Sequence, residues 1–274
     1  MLFRSKAWRE LFQLVGAELV IANHAPSAIL AARSLNLPVV NFGTGFALPP
    51  PGNPMPSLMP WAHPDKSRML ESEARVLTCI NQAFQQLGVE TCGSLSDALE
   101  PSQNLLTTIP ELDHYPGRSN AKYWGALQDP KRGDAPDWPG SSHGDKRIFA
   151  YLKPSHSGMV AALEALKAIP AEVLVFMPGI TETQAHDFSG VNVRVHTNPL
   201  SLEGVCDSAS LVVCHAGHGT VYTAVTRGVP VALMPERQQL EQMITAYNAE
   251  RLDFGLDRKS TRLNSSHQII SYAV

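Results

Sequence analysis

A short apolar segment that runs directly into a glycine-rich turn is the feature that most constrains the fold of this chain. Residues 211–214 read LVVC, and the turn that follows contains Gly217 and Gly219 between His215 and Thr220. A short, β-branched apolar run is typical of a buried parallel strand, and the composition after the turn is helical. Glycines between a strand and a helix let backbone N–H groups and the positive helix end approach an anion. The segment therefore predicts a phosphate-binding turn.

Apolar runs of strand length recur along the whole chain. They lie near residues 18–22, 38–42, 105–109, 147–152, 172–177, 191–195, 210–214 and 229–234, with helix-like segments between several of them. Strands that alternate with helices form parallel sheets, so the predicted fold class is α/β. Residues 127–146 are rich in Pro, Gly, Asp and Ser without an apolar period, which predicts a linker between two domains.

The composition argues against several classes of function. The formal net charge is −3, from 22 basic and 25 acidic residues, and no basic patch indicates a nucleic-acid partner. No run approaches the roughly 20 apolar residues that a membrane-spanning helix needs. The cysteines lack metal-ligand spacing; they are Cys79, Cys92, Cys206 and Cys214. We therefore expect a cytoplasmic protein with reduced thiols and no membrane span.

The spacing around the turn excludes two common nucleotide-binding loops. G-x-x-x-x-G-K-[ST] is absent, and G-x-G-x-x-G is not completed because residue 222 is Tyr. HxGxGT at 215–220, GVPV at 228–231, Pro235 and LEQ at 240–242 follow one another instead. In this order they resemble the donor-binding end of nucleotide-sugar-dependent glycosyltransferases of family one, above all bacterial relatives of the UDP-glucosyl and UDP-glucuronosyl transferases.

The resemblance covers nearly all of residues 1–256 and implies the GT-B architecture, with two Rossmann-like domains built on parallel sheets. RIFAYLKPSH at 147–156 is similar to the opening strand of the C-terminal domain, and the segment 18–40 to a strand, helix and strand of the N-terminal one. We therefore expect a partial acceptor-binding domain in residues 1–126 and the linker in 127–146. A truncated donor-binding domain is expected in residues 147–256.

Both ends of the chain depart from the resemblance. The family's first strands and helices would precede Met1, so we expect the N-terminal domain to be incomplete; a complete small protein is the alternative, although it would leave a strand edge uncovered. Residues 257–274, DRKSTRLNSSHQIISYAV, read as the translation of a common sequencing-adapter oligonucleotide. We expect a non-native tail there, with a natural flexible C-terminus as the alternative.

The resemblance implies a role for particular residues around the donor. It places His215, Gly217, Gly219 and Thr220 on the diphosphate, where an N–H stabilises the charge of the leaving nucleotide. A histidine that caps the following helix is the alternative for His215. Thr223 stands where many members carry a glutamate on the ribose hydroxyls, and threonine is shorter and neutral.

Glu241 and Gln242 match the acid–glutamine pair that holds hydroxyls of the transferred sugar in the family. The alternative is a solvated first helical turn, where Glu is favoured by the helix dipole. The segment between Pro235 and this pair is longer than usual, so Gln238 and Gln239 are further candidates for the same role.

Catalysis in the family requires a histidine base near the full-length N-terminus, supported by an aspartate. The matching histidine would precede Met1, and Asn23 stands at the position of the supporting acid. We therefore expect no catalytic residue in this chain and an inactive fragment. His24 is a weaker candidate for the base, because a histidine in such a turn more often packs or caps. Asp113 and its neighbour His114 are expected to be structural, since adjacent residues on an extended segment point to opposite faces.

The predicted function is inverting hexosyl transfer from a UDP- or TDP-sugar to a hydroxyl of a small apolar acceptor. The nucleotide-sugar is a co-substrate, and we expect neither a cofactor nor a metal ion, because histidine and backbone dipoles can neutralise the diphosphate. Two alternatives stay open. One is a non-catalytic protein that binds a nucleotide-sugar or a partner, and the other is a sugar-nucleotide epimerase of the same architecture.

Overall fold

The computed structural model describes residues 2–115, 117–129, 133–140 and 145–253. The tail predicted for 257–274 lies outside this range, as do parts of the predicted linker. Contacts within the chain divide it into two compact units, with the boundary between Gly125 and Ala126. Each unit contains a parallel sheet, in agreement with the predicted α/β class.

The first unit is built on a three-stranded parallel sheet in the order β1-β2-β3. Its strands are β1 (Val20–Ala22), β2 (Val39–Gly43) and β3 (Gln103–Leu106), and its helices are α1 (Leu2–Leu14), α2 (Pro26–Arg33), α3 (Lys66–Gln86) and α4 (Leu95–Ala98). The register places Val20 opposite Val39, and Phe42 opposite Leu105. β1 is paired with β2 on one side, and the side chain of Ile21 is 66% exposed.

Helix α2 forms the crossover between β1 and β2 and is buried along most of its length. Pro26 occupies its first turn, where the missing N–H costs nothing. Residues 28–32 are all buried, as expected of a helix that is apolar on every side. Leu30 packs with Ile80 and Phe84 of α3, and this cluster connects α2 with α3 and α4.

A buried ion pair organises the chain after β3. The Asp113 carboxylate contacts the Arg118 guanidinium at 2.8 Å and accepts a hydrogen bond from the Tyr123 hydroxyl at 2.8 Å. Arg118 also donates to the carbonyl oxygen of Leu48. Burial, together with the hydrogen bond to Asp113, raises the pKa of Tyr123 to about 12. These contacts confirm the structural role expected for Asp113.

The second unit contains a five-stranded parallel sheet in the order β6-β5-β4-β7-β8. Its strands are β4 (Arg147–Tyr151), β5 (Glu172–Phe176), β6 (Val193–His196), β7 (Leu211–Cys214) and β8 (Val231–Leu233), and its helices are α5 (Met159–Ala168), α6 (Glu182–Phe188), α7 (Leu202–Cys206), α8 (His218–Thr226) and α9 (Leu240–Arg251). The predicted apolar runs of both units are therefore confirmed as strands, with bounds that differ by a few residues.

Residues of the predicted linker pack onto the second unit. The Asp134 N–H donates to the carbonyl oxygen of Pro199 at 2.9 Å, and the Trp138 indole N–H donates to the Ser208 hydroxyl at 3.1 Å. A Gly- and Pro-rich composition shows only that a segment lacks a helix or a strand. It does not show whether side chains such as Trp138 anchor the segment.

The structure shows the burial of the four cysteines and the length and apolarity of the described helices. Cys92, Cys206 and Cys214 are buried, Cys79 is exposed, and all four are free thiols. Burial raises the pKa of Cys214 to about 12, so this thiol is unreactive. Across the ranges that the structure describes, no helix combines the length and apolarity needed to cross a bilayer.

Gly45→Ala is predicted to destabilise the first unit. The added Cβ would overlap the Asp113 carboxylate and lie 2.8 Å from the backbone nitrogen of His114. Because Asp113 is held by Arg118 and Tyr123, it has little room to move, and we expect a loss of about 2–3 kcal/mol. Urea denaturation measures this loss. Gly93→Ala is the matched control, since a Cβ there meets nothing within 4 Å; equal stability of the two variants would contradict the prediction.

Candidate nucleotide-binding site

The candidate site of the second unit lies where the strand order reverses. β5 and β6 lie on one side of β4, and β7 and β8 lie on the other. In open parallel sheets, ligands bind beyond the carboxyl ends of the strands at such a reversal, which is here between β4 and β7. The turn predicted to bind phosphate follows β7, so it lies at the edge where this topology places a ligand.

The turn after β7 presents an open backbone surface. Gly217 is the N-cap of α8, Gly219 lies in the first turn, and both are exposed. A Cβ built at either glycine would meet nothing within 4 Å. Ala216 is buried with φ at +57°, a left-handed conformation that costs a non-glycine residue about 1–2 kcal/mol. Because Gly217 has no side chain to accept from the first-turn amides, a bound anion can take that role.

The His215 side chain is buried and is used within the protein, with only 3% of its surface exposed. Its Nε2 accepts a hydrogen bond from the Lys153 N–H at 2.8 Å, and its Nδ1 lies 3.0 Å from the carbonyl oxygen of Met234. These partners assign the neutral ring with its proton on Nδ1. Burial lowers the pKa of His215. The ring therefore links the segments that follow β4, β7 and β8.

Both ring nitrogens of His215 are engaged within the protein, and its direct contact with a diphosphate stays a prediction. For its Nδ1–H to contact a diphosphate, the ring would have to lose the hydrogen bond to the Met234 carbonyl oxygen. For Nε2 to donate instead, it would have to gain a proton, which would then face the Lys153 N–H. The alternative of a helix cap is excluded, since the N-cap is Gly217. Thr220 lies half-buried in α8, beside the exposed glycines. The contacts of Gly217, Gly219 and Thr220 with a diphosphate stay predictions.

Thr223 is buried, and its hydroxyl is hydrogen-bonded to Gln128, a residue of the predicted linker. Its side chain is 1% exposed, and its hydroxyl donates to the carbonyl oxygen of Gly219 at 2.9 Å. The Gln128 amide donates to the same hydroxyl in a short hydrogen bond. A threonine inside a helix commonly bonds back to the carbonyl four residues earlier. The hydroxyl of Thr223 is therefore bonded within the protein, and its contact with a ribose stays a prediction.

A cluster of charged and amide side chains lies beside His215. The Lys153 ammonium contacts the Glu236 carboxylate at 2.6 Å, and both side chains are about one-third exposed, at 36% and 32%. The hydrogen bond from Lys153 lowers the pKa of Glu236. Gln242 Oε1 accepts from the backbone N–H of Glu236 at 2.8 Å. Residues after β4, after β8 and in α9 thus meet at one place.

The residues predicted to hold the sugar are brought only partly together. Glu241 and Gln242 lie half-buried in the first turn of α9, which begins at Leu240 of the LEQ motif. Gln242 turns towards the segment after β8. Gln238 and Gln239 precede α9 and are exposed. The role of Glu241 and Gln242 in sugar binding stays a prediction.

The first unit contains a cavity of about 570 Å³ beside its sheet. This volume is within the range of small-molecule pockets. The lining includes Phe46, Leu48, Met55 and Leu58, which are apolar residues of the loop after β2, and Tyr115. Residues of the proline-rich loop at 47–61, among them Leu48, Met55 and Leu58, therefore form part of the cavity wall.

Asn23 and His24 follow β1 and are both exposed. The Asn23 amide donates to the carbonyl oxygen of Phe42 at 3.1 Å. His24 has φ at +47°, lines the cavity, and stacks on Phe46 with ring centroids 5.5 Å apart. The N-cap of α2 is Ala25, so His24 neither caps this helix nor packs in the core. Of the two ordinary roles expected for His24, packing is observed, against Phe46, and capping is not.

Sequence reasoning missed Lys153, Glu236 and Gln128. Lys153 directly follows the predicted strand at 147–152, and Glu236 lies two residues after the one at 229–234. The rule that ligands bind at strand ends could have drawn attention to both. No local signal identifies Gln128, because its partner Thr223 lies 95 residues away. Over the ranges described, no three His, Cys, Asp or Glu side chains are grouped so as to hold a metal ion.

Acid is predicted to destabilise the second unit through His215. The pKa of its buried ring is lowered in the folded state, whereas the unfolded ring titrates near 6.5. The stabilisation is therefore complete above pH 6.5 and is lost as pH falls below it, by up to about 1.4 kcal/mol per pH unit. Urea denaturation at pH 7.5 and 5.5 measures this loss.

His215→Gln should lose less stability than the unaltered protein over the same pH interval, because Gln binds no proton. His196, whose pKa is also lowered by burial, is present in both proteins and cancels in this comparison. His186→Gln is the control, since this side chain is 91% exposed. Identical pH dependence of the unaltered protein and His215→Gln would contradict the prediction.

Comparison with known proteins agrees with this description. Residues 160–264 match the Glycosyltransferase family 28 C-terminal domain. The chain is 26% identical over 239 residues to the zeaxanthin glucosyltransferase of Pseudescherichia vulneris, an alignment that covers 79% of this chain and 56% of that protein. The resemblance to glycosyltransferases is thus confirmed, although the matching domain is numbered family 28 and not family one.

Solved structures of glycosyltransferases share the fold. The glycosyltransferase VinC in complex with DTDP superposes with a TM-score of 0.64 at 17% identity, over 92% of this chain and 62% of that one. SnogD from Streptomyces nogalater gives a TM-score of 0.56 at 21% identity, over 95% and 66%. The chain thus spans between about half and two-thirds of the length of these proteins. The chain is therefore similar in sequence to a glycosyltransferase domain and to a glucosyltransferase, and it shares the fold of solved glycosyltransferases with GT-B architecture.

Proposed function

We propose that the protein takes part in the transfer of a sugar from a UDP- or TDP-sugar to a hydroxyl group of a small apolar acceptor, with inversion at the sugar. The observation that carries this proposal is the exposed turn of Gly217 and Gly219 at the reversal between β4 and β7. There the first-turn amides of α8 have no side-chain cap at Gly217. A diphosphate is the ligand whose charge and size suit such a surface.

The turn contributes to the reaction by stabilising the leaving group. When the acceptor oxygen bonds to the anomeric carbon, the bond from that carbon to the diphosphate oxygen breaks, and negative charge grows on the diphosphate. Backbone N–H groups held in place by the fold can stabilise this charge without reorganising. The buried His215 supports the site indirectly, because it fixes the segment that begins the turn.

The acceptor is proposed to bind in the cavity of the first unit. Its lining is mainly apolar around Phe46 and Met55, with polar groups such as Ser102 and Asn104 along one part. An apolar molecule with a hydroxyl group suits this combination. One relative is named for zeaxanthin and one structural neighbour holds a spinosyn aglycone. The proton of the acceptor hydroxyl requires a base.

Metal independence and a cytoplasmic location are parts of the same proposal. Amide dipoles and the Lys153 ammonium can balance the charge of a diphosphate without a cation. The buried free thiols Cys206 and Cys214 suit a reducing compartment. Partners other than the nucleotide-sugar and the acceptor are not needed for this chemistry.

The proposal is tested by titrating UDP, TDP and GDP into the protein by calorimetry, with and without added EDTA. Binding of UDP or TDP that is unaffected by EDTA is the expected result, and absence of binding by all three would overturn the proposal. The two alternatives give different signals. An epimerase would change the sugar of the donor without any acceptor, whereas a non-catalytic protein would bind nucleotide and yield no product with any acceptor.

Gly219→Asp is predicted to remove nucleotide binding without unfolding the protein. The position is open, and a carboxylate in the first turn of α8 is favoured by the helix dipole. The same charge would repel a diphosphate, so we expect affinity to fall by at least about a hundredfold. Calorimetry measures the affinity, and thermal unfolding checks the fold. Gly190→Asp, also at an open and exposed position, is the control; equal affinity of the two variants would contradict a ligand at this turn.

A further inference from the structure

Lys153 is fixed at the reversal between β4 and β7 by its backbone. It follows β4, and its N–H donates to Nε2 of His215 at 2.8 Å. His215 itself precedes the open glycine turn by one residue, Ala216. The start of the Lys153 side chain therefore has a defined place beside the candidate diphosphate site. Its four-carbon stem leaves the ammonium group free to reach more than one acceptor.

Glu236 holds the Lys153 ammonium in the structure. The two charged groups are 2.6 Å apart, and each side chain is about one-third exposed, at 36% and 32%. The backbone of Glu236 is positioned in turn by the bond from its N–H to Gln242. A carboxylate thus lies near a surface suited to anions, where on its own it would repel a ligand.

We propose that Lys153 is the cation that pairs with the donor diphosphate and that Glu236 is an internal anion that competes for it. This inference rests on the proposed function. It adds to the same site a residue that binds the diphosphate and a carboxylate that lowers the affinity. When the nucleotide binds, the ammonium exchanges the Glu236 carboxylate for diphosphate oxygens. No covalent bond changes in this step.

The energetics favour this exchange. A partly exposed pair of single charges contributes little, because water screens it and two side chains are immobilised. A diphosphate offers more charge and more acceptor oxygens, and charge-assisted hydrogen bonds to it are strong. The Glu236 carboxylate then returns to water, which its partial exposure allows. The ion pair therefore lowers the affinity for the nucleotide without abolishing it.

Two substitutions with opposite expected effects test the inference. Lys153→Gln should weaken UDP or TDP binding by about tenfold to a hundredfold, the range for hydrogen bonds to charged groups. Glu236→Gln should strengthen it by about twofold to fivefold, because the competing charge is gone. Neither should change the binding of the nucleoside alone. Calorimetry with UDP, TDP and the two nucleosides gives these ratios.

Matched variants separate this effect from general ones. Lys167→Gln removes the same charge from the Glu164–Lys167 pair on α5, and should leave affinity unchanged. Lys153→Arg keeps a positive charge and should retain most of the affinity, so it tests the inference even if Lys153→Gln proves unstable in thermal unfolding. The affinity ratios should also shrink as salt concentration rises.

The outcomes distinguish this inference from the proposed function. If UDP or TDP binds and Lys153→Gln binds it as tightly, Lys153 has no contact with the ligand and the inference is overturned, while the proposed function stands. If Glu236→Gln binds more weakly than the unaltered protein, Glu236 supports binding and the competition is overturned. If the unaltered protein binds no nucleotide diphosphate, the proposed function falls, and this inference falls with it.

Discussion

The hydrogen bonds of one neutral imidazole connect the ends of three neighbouring strands. His215 follows β7 and accepts from the backbone after β4, while its other nitrogen faces the carbonyl oxygen of Met234 after β8. In a parallel sheet the hydrogen-bond ladder ends at the last paired residues, so the loops beyond them need other contacts to hold their position. Because Nε2 must accept, the ring has to be neutral, and burial lowers its pKa accordingly. The ring thus ties the residue before the glycine turn to the two neighbouring strand ends.

A ring with both nitrogens engaged cannot also supply the charge that a diphosphate requires. At the proposed diphosphate site, the positive potential would come from the amides at the start of α8 and from Lys153, whose backbone N–H donates to the same ring. Under this proposal, positioning and charge are divided between two residues. A histidine with a lowered pKa would then serve the site through the backbone that it holds. Its contribution is geometric, and a neutral imidazole performs it better than a charged one.

The sequence was sufficient for the sheets and insufficient for the side-chain partners. Strand positions follow from local apolar runs, and the helix after the glycine turn follows from composition, so both were predicted to within a few residues. The hydrogen bond between Gln128 and Thr223 and the ion pair between Lys153 and Glu236 join residues 95 and 83 positions apart. No periodicity encodes such distances. The role of His215 was implied by the resemblance to a family, but which partners its nitrogens bind depends on the register of three strands together.

The hydrogen bond from Gln128 to Thr223 is one of these contacts between residues that are far apart in the sequence. A threonine in α8 is too short to reach far beyond its helix, and its hydroxyl bonds back to Gly219. The Gln128 amide donates to this hydroxyl from the part of the chain that precedes β4. Trp138 and Asp134, which also precede β4, bond to Ser208 and Pro199. Hydrogen-bonding groups near the site are thus supplied by the chain before β4 as well as by the strand ends.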